Sequence, residues 1–126
     1  MKITTVNTEK APAAIGPYSQ AKVYNGVAYI SGQLPINPAT GELELGDATS
    51  QAKLVMQNLA AIVEAAGSSM DKILKATILL TDMAHFAQVN EVYASFFTQS
   101  PPARICYQVS ALPKGADVEI DAICAV

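Results

Sequence analysis

Arg104 is the residue whose surroundings most strongly suggest chemistry. It follows Pro101-Pro102-Ala103 and opens a stretch in which Ile105 and its neighbours are mostly apolar. A guanidinium cannot lose its proton, so it needs an anion when it lies among apolar side chains. Two interpretations stay open. One is an ion pair within the chain, for example with Glu119 or Asp121, and the other is a ligand carboxylate that fits the planar guanidinium.

Glu119 is the second charged residue in mostly apolar surroundings, within residues 118–123. A carboxyl group in such a place can have a raised pKa and serve as an acid or a base. The alternative is that Glu119 and Asp121 form the wet face of a half-exposed strand.

Three further side chains are of chemically useful types. Cys106 has no neighbouring base in the sequence, which favours a small buried hydrophobe over a nucleophile. Tyr18 follows Gly16-Pro17 at a constrained junction, which suits either the wall of a binding site or ordinary packing. His85 is the only histidine. One histidine does not make a histidine-based metal site, so a surface or helix-edge position is favoured.

The elements that must position these residues follow from the spacing of apolar side chains. The pattern predicts the order β-ββ-α-β-α-β-β, with strands at 3–6, 18–24, 27–34, 73–80, 103–109 and 118–125. Asn25-Gly26 is typical of a two-residue type I′ hairpin turn. Strand periodicity places Arg104, Cys106 and Gln108 on one face. Adjacency along the chain favours pairing the last two strands as a hairpin.

Two helices complete the predicted single domain at 1–126. Asp47 caps the first, which runs to about Ala66 and is followed by Gly67 at the usual C-terminal glycine position. Thr81-Asp82 caps the second, whose apolar stripe includes Phe86, Val89 and Tyr93. The sequence therefore predicts an α+β fold with both helices on one face of a single mixed sheet.

Composition narrows the classes of function. The net charge is −3 without a basic cluster, and only 15% of residues are charged, against the usual ~25%. These values argue against nucleic-acid binding and favour either self-association or an alanine-rich surface. Residues 1–5 lack the apolar stretch of a signal peptide, no apolar run reaches membrane-spanning length, and the cysteines form no paired motif. We therefore expect a soluble, cytosolic protein with reduced thiols. No phosphate loop or nucleophile elbow is present.

Five short motifs, in order along the chain, together resemble the Rid family of YjgF-type reactive intermediate deaminases. They are GPYSQA at 16–21, SGQLP at 31–35, VNEVY at 89–93, PAR at 102–104 and LPKGADVEI at 112–120. The resemblance runs from about Thr4 to the C-terminus. It implies a chorismate-mutase-like α+β fold, a homotrimer with its sheets facing inward, and a cleft at each subunit interface.

The resemblance also implies an activity. It is the hydrolysis of 2-aminoacrylate, its tautomer 2-iminopropanoate or 2-iminobutanoate to 2-oxo acids and ammonia, without a cofactor or a metal. Pyridoxal-phosphate-dependent dehydratases release such imines, so a functional link to them is implied. A small-carboxylate binding protein or sensor without turnover is the first alternative, and a chaperone or ribonuclease is the second.

The resemblance assigns roles to six residues. Arg104 grips the substrate carboxylate, Glu119 holds or activates the attacking water, and Cys106 contributes mainly through its backbone. The cleft is formed with three more residues, namely Tyr18, Gly32 and Asn90. Ile105 and a short segment at 97–100 depart from the family pattern beside the site.

Overall fold

Six strands and two helices follow one another in the predicted order. The computed structural model describes residues 1–126. Its elements are β1 (Thr4–Val6), β2 (Ala21–Tyr24), β3 (Val27–Gln33), α1 (Ala48–Ala65), β4 (Ile73–Leu80), α2 (Phe86–Ala94), β5 (Ala103–Gln108) and β6 (Val118–Ala125). Neither helix is both long enough and apolar enough to cross a membrane.

The predicted turn and the predicted ends of α1 are confirmed by the backbone. Asn25 and Gly26 have φ angles of 53° and 77°, as a type I′ turn requires at both central positions. The Asp47 side chain accepts a hydrogen bond from the backbone N–H of Ser50 at 2.8 Å and so caps α1. Gly67 ends that helix with a φ of 85°, in the left-handed region.

The second helix begins later than predicted. Asp82 is a cap, because its side chain accepts a hydrogen bond from the N–H of Ala84 at 2.8 Å. The turn that it caps, however, is a short 3₁₀ helix at Met83–His85, and α2 starts at Phe86.

The six strands form one mixed sheet in the order β1-β2-β3-β6-β4-β5. All neighbours are antiparallel except β4 and β5, which are parallel. The predicted hairpin between the last two strands is therefore wrong, since β4 lies between them. Burial gives the physical reason. Every second residue of β6 is buried, which suits a central strand, whereas no residue of the edge strand β5 is buried.

The two faces of the sheet differ in how they are covered. One face packs against the helices and carries the core, including Ile78, Ile120 and Leu59 of α1, all with 0% exposure. The other face is open. On it Tyr29, Ile105 and Tyr107 are 51%, 46% and 50% exposed. Large apolar side chains on an open face are the feature expected of a surface that another molecule covers.

Candidate active site

One pocket surrounds the Glu119 side chain and has a volume of about 330 Å³. It lies between the last residues of β3 and the first residues of β6. The loop before β2 and the loop before β6 form its remaining walls. Its lining residues are Ile15, Tyr18, Ser31, Gly32, Leu34, Pro113 and Glu119. Three of the predicted site residues, Tyr18, Gly32 and Glu119, thus lie together.

Glu119 is half-buried in this pocket, and burial raises the pKa of its carboxyl group above the ordinary 4.5. The negative charge of Asp121, two residues along the same face of β6, raises this pKa further. A carboxyl group with a pKa moved toward neutrality is suited to exchanging protons with a substrate or a water.

Gly32 makes room for the Glu119 carboxyl group. A Cβ atom at position 32 would overlap Glu119 Oε2 and would lie 2.9 Å from Glu119 Cδ, closer than real Cβ contacts come. The absence of a side chain at Gly32 therefore sets the place where the carboxylate rests.

Tyr18 is held at the rim of the same pocket. The N–H of Tyr18 donates to the carbonyl oxygen of Gly16 at 2.8 Å, and the N–H of Ile15 donates to the Tyr18 hydroxyl at 3.4 Å. These two contacts make a tight turn at Gly16-Pro17, as the sequence suggested for a constrained junction. The Tyr18 side chain remains 48% exposed, so it is available to a ligand or to another chain.

A second pocket, of about 440 Å³, contains Arg104. It lies between α2 and the start of β5, and its lining residues are Asn90, Tyr93, Ala94, Pro101, Pro102 and Arg104. Arg104 Nη1 donates a hydrogen bond to Asn90 Oδ1 at 2.6 Å. The guanidinium carbon also lies 5.5 Å from the ring centre of Phe86 and 5.2 Å from that of Tyr93.

These contacts fix the orientation of Arg104 without neutralising it. An amide oxygen and two aromatic rings carry no net charge, and only one of the guanidinium donors is used. The ion pair with Glu119 or Asp121 that the sequence left open is not formed. The guanidinium is therefore free to bind an anion such as a carboxylate.

Arg104 and Glu119 lie on opposite faces of the sheet. Arg104 pairs with the buried Ala76 and so belongs to the helix-covered face, while Glu119 pairs with Leu79, which in turn pairs with Tyr107 of the open face. The two side chains consequently line different pockets of one chain. Arg104 also lies on the edge strand β5, where a second chain can reach it.

The remaining candidates have minor roles in this geometry. Cys106 lies on the face of Arg104, as predicted, and pairs with the buried Ile78. Burial raises the pKa of its thiol, and the nearby charge of Arg104 only partly opposes this, so a thiolate nucleophile is disfavoured. His85 ends the 3₁₀ turn before α2. No group of three or more His, Cys, Asp or Glu side chains is placed to hold a metal ion.

Sequence reasoning missed the two rings that hold Arg104. Phe86, Asn90 and Tyr93 are separated by four and three residues, which places them on one face of a helix. That spacing is visible in the sequence, but the same two rings also fit the apolar stripe of the predicted helix. Ile15 and Pro113 in the other pocket carry no comparable signal, because loops bring them there.

Comparisons with known proteins place the chain in a family. The family described as Endoribonuclease L-PSP matches residues 8–126. The RutC family protein y4sK of Sinorhizobium fredii is 51% identical over 121 residues, which cover 96% of each chain. The 2-iminobutanoate/2-iminopropanoate deaminase of Capra hircus is 51% identical over 118 residues, which cover 94% of this chain and 86% of that protein.

Solved structures agree with these matches. The Rid-family protein YyfA from Yersinia pestis has a TM-score of 0.97 at 48% identity, over 99% of this chain and 100% of that one. TdcF of E. coli, solved with bound serine, has a TM-score of 0.94 at 43% identity, over 98% of each chain. The chain therefore belongs to the Rid (YjgF, L-PSP) family, and both the resemblance and the α+β fold are confirmed.

Proposed function

We propose that this protein hydrolyses small 2-imino acids, such as 2-iminopropanoate and 2-iminobutanoate, to 2-oxo acids and ammonia. The observation that carries the proposal is the pair of complementary half-sites. One holds an oriented guanidinium without a charged partner, and the other holds a half-buried carboxyl group with a raised pKa. Relatives that are named for this activity and share about 50% sequence identity with this chain support the proposal.

Arg104 would bind the carboxylate of the substrate. Asn90 and the rings of Phe86 and Tyr93 hold the guanidinium, so its remaining donors can form a bidentate pair with a carboxylate. Such a pair fixes the imine carbon relative to the protein, which is the positioning that catalysis requires. The serine bound to TdcF, an amino acid with a carboxylate of its own, is consistent with this role.

Glu119 would act as the general base and then as the general acid of the reaction. Its carboxylate accepts a proton from water as the water oxygen bonds to the carbon of the protonated imine. The product of this addition is a carbinolamine. Returning this proton to the nitrogen makes it a leaving group, and the carbon–nitrogen bond breaks to release ammonia as the carbonyl forms. The Glu119 carboxylate accepts the hydroxyl proton in this step and passes it to the released ammonia, which leaves as ammonium. The raised pKa of Glu119 suits it to these transfers.

The complete site would lie between two copies of the chain. Arg104 and Glu119 face opposite sides of the sheet, and the exposed Tyr29 and Tyr107 give the open face an apolar surface for another copy to cover. A closed homotrimer with a cleft at each interface joins the Arg104 half of one chain to the Glu119 half of its neighbour.

A coupled assay tests the activity. A pyridoxal-phosphate-dependent dehydratase generates the imine in place, and 2-oxo acid formation is followed with wild type, Arg104→Ala and Glu119→Gln. A charge-assisted bond is worth ~1.5–3 kcal/mol, so Arg104→Ala should lower kcat/KM by about 10-fold to over 100-fold. Glu119→Gln should abolish turnover while 2-oxo acid binding, measured by calorimetry, persists.

The alternative is a small-carboxylate binding protein, for which Arg104 would serve equally well. This alternative is supported if the wild-type protein binds 2-oxo acids but does not accelerate their formation from the imine. Full activity of Glu119→Gln would instead refute the proton-transfer role of Glu119.

A further inference from the structure

Two of the most deeply buried side chains of α1 are carboxamides. Gln51 and Asn58 are each only 1% exposed. They are seven residues apart, which is close to two helical turns, so they lie on one face of the helix. Burying an amide is unfavourable unless its hydrogen bonds are made inside the protein. Their partners therefore show what these residues hold in place.

Asn58 holds the segment that follows β3. Its side-chain nitrogen donates to the carbonyl oxygens of Leu34 and Ile36, at 3.1 Å and 2.9 Å. Leu34 is part of the wall of the Glu119 pocket. Asn58 thus ties one rim of that pocket to the helix.

Gln51 holds the end of the same loop and the approach to β6. Its side-chain nitrogen donates to the carbonyl oxygen of Gly46 at 3.1 Å and to Asp117 Oδ2 at 3.0 Å. Its oxygen accepts a hydrogen bond from the backbone N–H of Asp117 at 2.9 Å. Thr81 Oγ1 binds the other carboxylate oxygen of Asp117 at 2.8 Å.

The hydrogen-bond partners of Gln51 and Asn58 lie around the Glu119 pocket. Asp117 lies two residues before Glu119 and follows the loop that contributes Pro113 to the pocket. The loop at 34–46, which connects β3 to α1, is held by Asn58 at its start and by Gln51 at its end. We propose that Gln51 and Asn58 are positioning residues that hold both rims of the Glu119 pocket and keep it narrow.

The catalytic meaning of this proposal rests on the proposed function. An apolar side chain of similar size at position 51 or 58 would fill the core but leave the loop carbonyls without donors. The loops would then turn those carbonyls toward water and widen the pocket. Water would reach the Glu119 carboxyl group, and since burial is the main cause of its raised pKa, that pKa would fall.

The test compares Asn58→Leu and Gln51→Met with a matched control, Gln57→Leu, on the exposed side of the same helix. We expect kcat/KM for 2-iminobutanoate to fall by about 10-fold to 100-fold in the first two variants. We also expect the acid limb of their pH–rate profiles to move to lower pH. The control should match wild type in both respects. Asn58→Ala, which removes the donor without adding bulk or charge, replaces Asn58→Leu if circular dichroism shows that the latter does not fold.

A second readout does not depend on turnover. The ¹³C signal of the Glu119 carboxyl group, assigned by its loss in Glu119→Gln, is titrated in each variant. The charged neighbour Asp121 is unchanged throughout. A lower Glu119 pKa in both core variants, with an unchanged value in the control, supports the positioning role even if wild type proves inactive, in which case only the proposed function fails. Reduced melting temperature with an unmoved Glu119 titration would overturn the proposal and leave Gln51 and Asn58 as packing residues.

Discussion

The fit between Gly32 and Glu119 is the tightest constraint on the candidate site. The carboxyl group occupies the space that any side chain at position 32 would need. Because the obstructed atoms belong to the end of a flexible side chain, a larger residue would push Glu119 aside without breaking the backbone. Position 32 therefore controls where the Glu119 carboxyl group lies.

Gly32→Ala should separate activity from folding. We expect kcat/KM to fall by about 100-fold or more, because a displaced acid–base group loses its contribution. The free energy of unfolding should change by no more than ~1 kcal/mol. Imine hydrolysis and urea denaturation measure the two effects. Gly16→Ala is the control, since a Cβ there makes ordinary contacts at 3.6 Å from the Tyr18 ring. Equal losses of activity in both variants would contradict the special role of Gly32.

Asp121 should set part of the pH dependence. Its Oδ1 accepts a hydrogen bond from the N–H of Thr77 at 3.0 Å, and asparagine can keep that bond. Asp121→Asn removes a negative charge that raises the pKa of Glu119, so the pKa falls and the carboxylate persists to lower pH. The acid limb of the pH–rate profile should therefore move to lower pH.

The control for this change is Glu64→Gln, which removes an exposed carboxylate from the last turn of α1. Its profile should coincide with that of wild type. A shift toward higher pH in Asp121→Asn would mean that a different group is responsible for the acid limb.

At the scale of elements, short sequence motifs predicted the features that depend only on adjacent residues. The turn at Asn25-Gly26, the cap at Asp47 and the end of α1 at Gly67 each depend on a few adjacent residues, and each is confirmed. The hairpin between the last strands failed because pairing depends on burial across the whole sheet. Every second residue from Val118 to Cys124 is apolar and buried, and β6 lies in the middle of the sheet between β3 and β4.

Gly67→Ala should destabilise the end of α1. At a φ of 85° a Cβ atom crowds the backbone, and the left-handed conformation costs ~1–2 kcal/mol for a residue with a side chain. We expect a loss of this size in the free energy of unfolding, measured in urea. Gly67→Asn should lose less, because asparagine tolerates this conformation better. Indistinguishable stabilities of wild type and Gly67→Ala would contradict the argument.

At the scale of the whole molecule, the candidate site is divided. The sequence suggests Arg104, Glu119 and Tyr18 as site residues, and the family resemblance adds Gly32 and Asn90. These roles stay predictions, and the structure groups the five residues into two pockets. The division could not be predicted from spacing alone. It depends on the register of β5 against β4, which pairs Arg104 with the buried Ala76 and so places it on the helix-covered face, opposite to Glu119.

Mixing two impaired variants should raise the activity above that of either variant alone if the halves come from different chains. Arg104→Ala keeps an intact Glu119 half, and Glu119→Gln keeps an intact Arg104 half. When equal amounts are unfolded and refolded together, chance assembly should make about a quarter of the clefts complete. The coupled assay should then report about a quarter of wild-type activity.

The double variant Arg104→Ala/Glu119→Gln, refolded with wild type, is the matched control. It gives the same fraction of complete clefts by another route and checks that refolding succeeds. No recovery in the mixture of single variants, with normal recovery in the control, would place both residues in one chain's site.

The opposed directions of Arg104 and Glu119 determine how many complete clefts an assembly of chains can hold. Chains joined head to tail in an open array always leave one guanidinium and one carboxylate at the two ends without a mate. A pair of chains would hold a single complete cleft, whereas a closed ring holds as many clefts as chains. For the proposed homotrimer, dilution that opens the ring should therefore lower the activity per chain before any chain unfolds, so that specific activity would report ring closure.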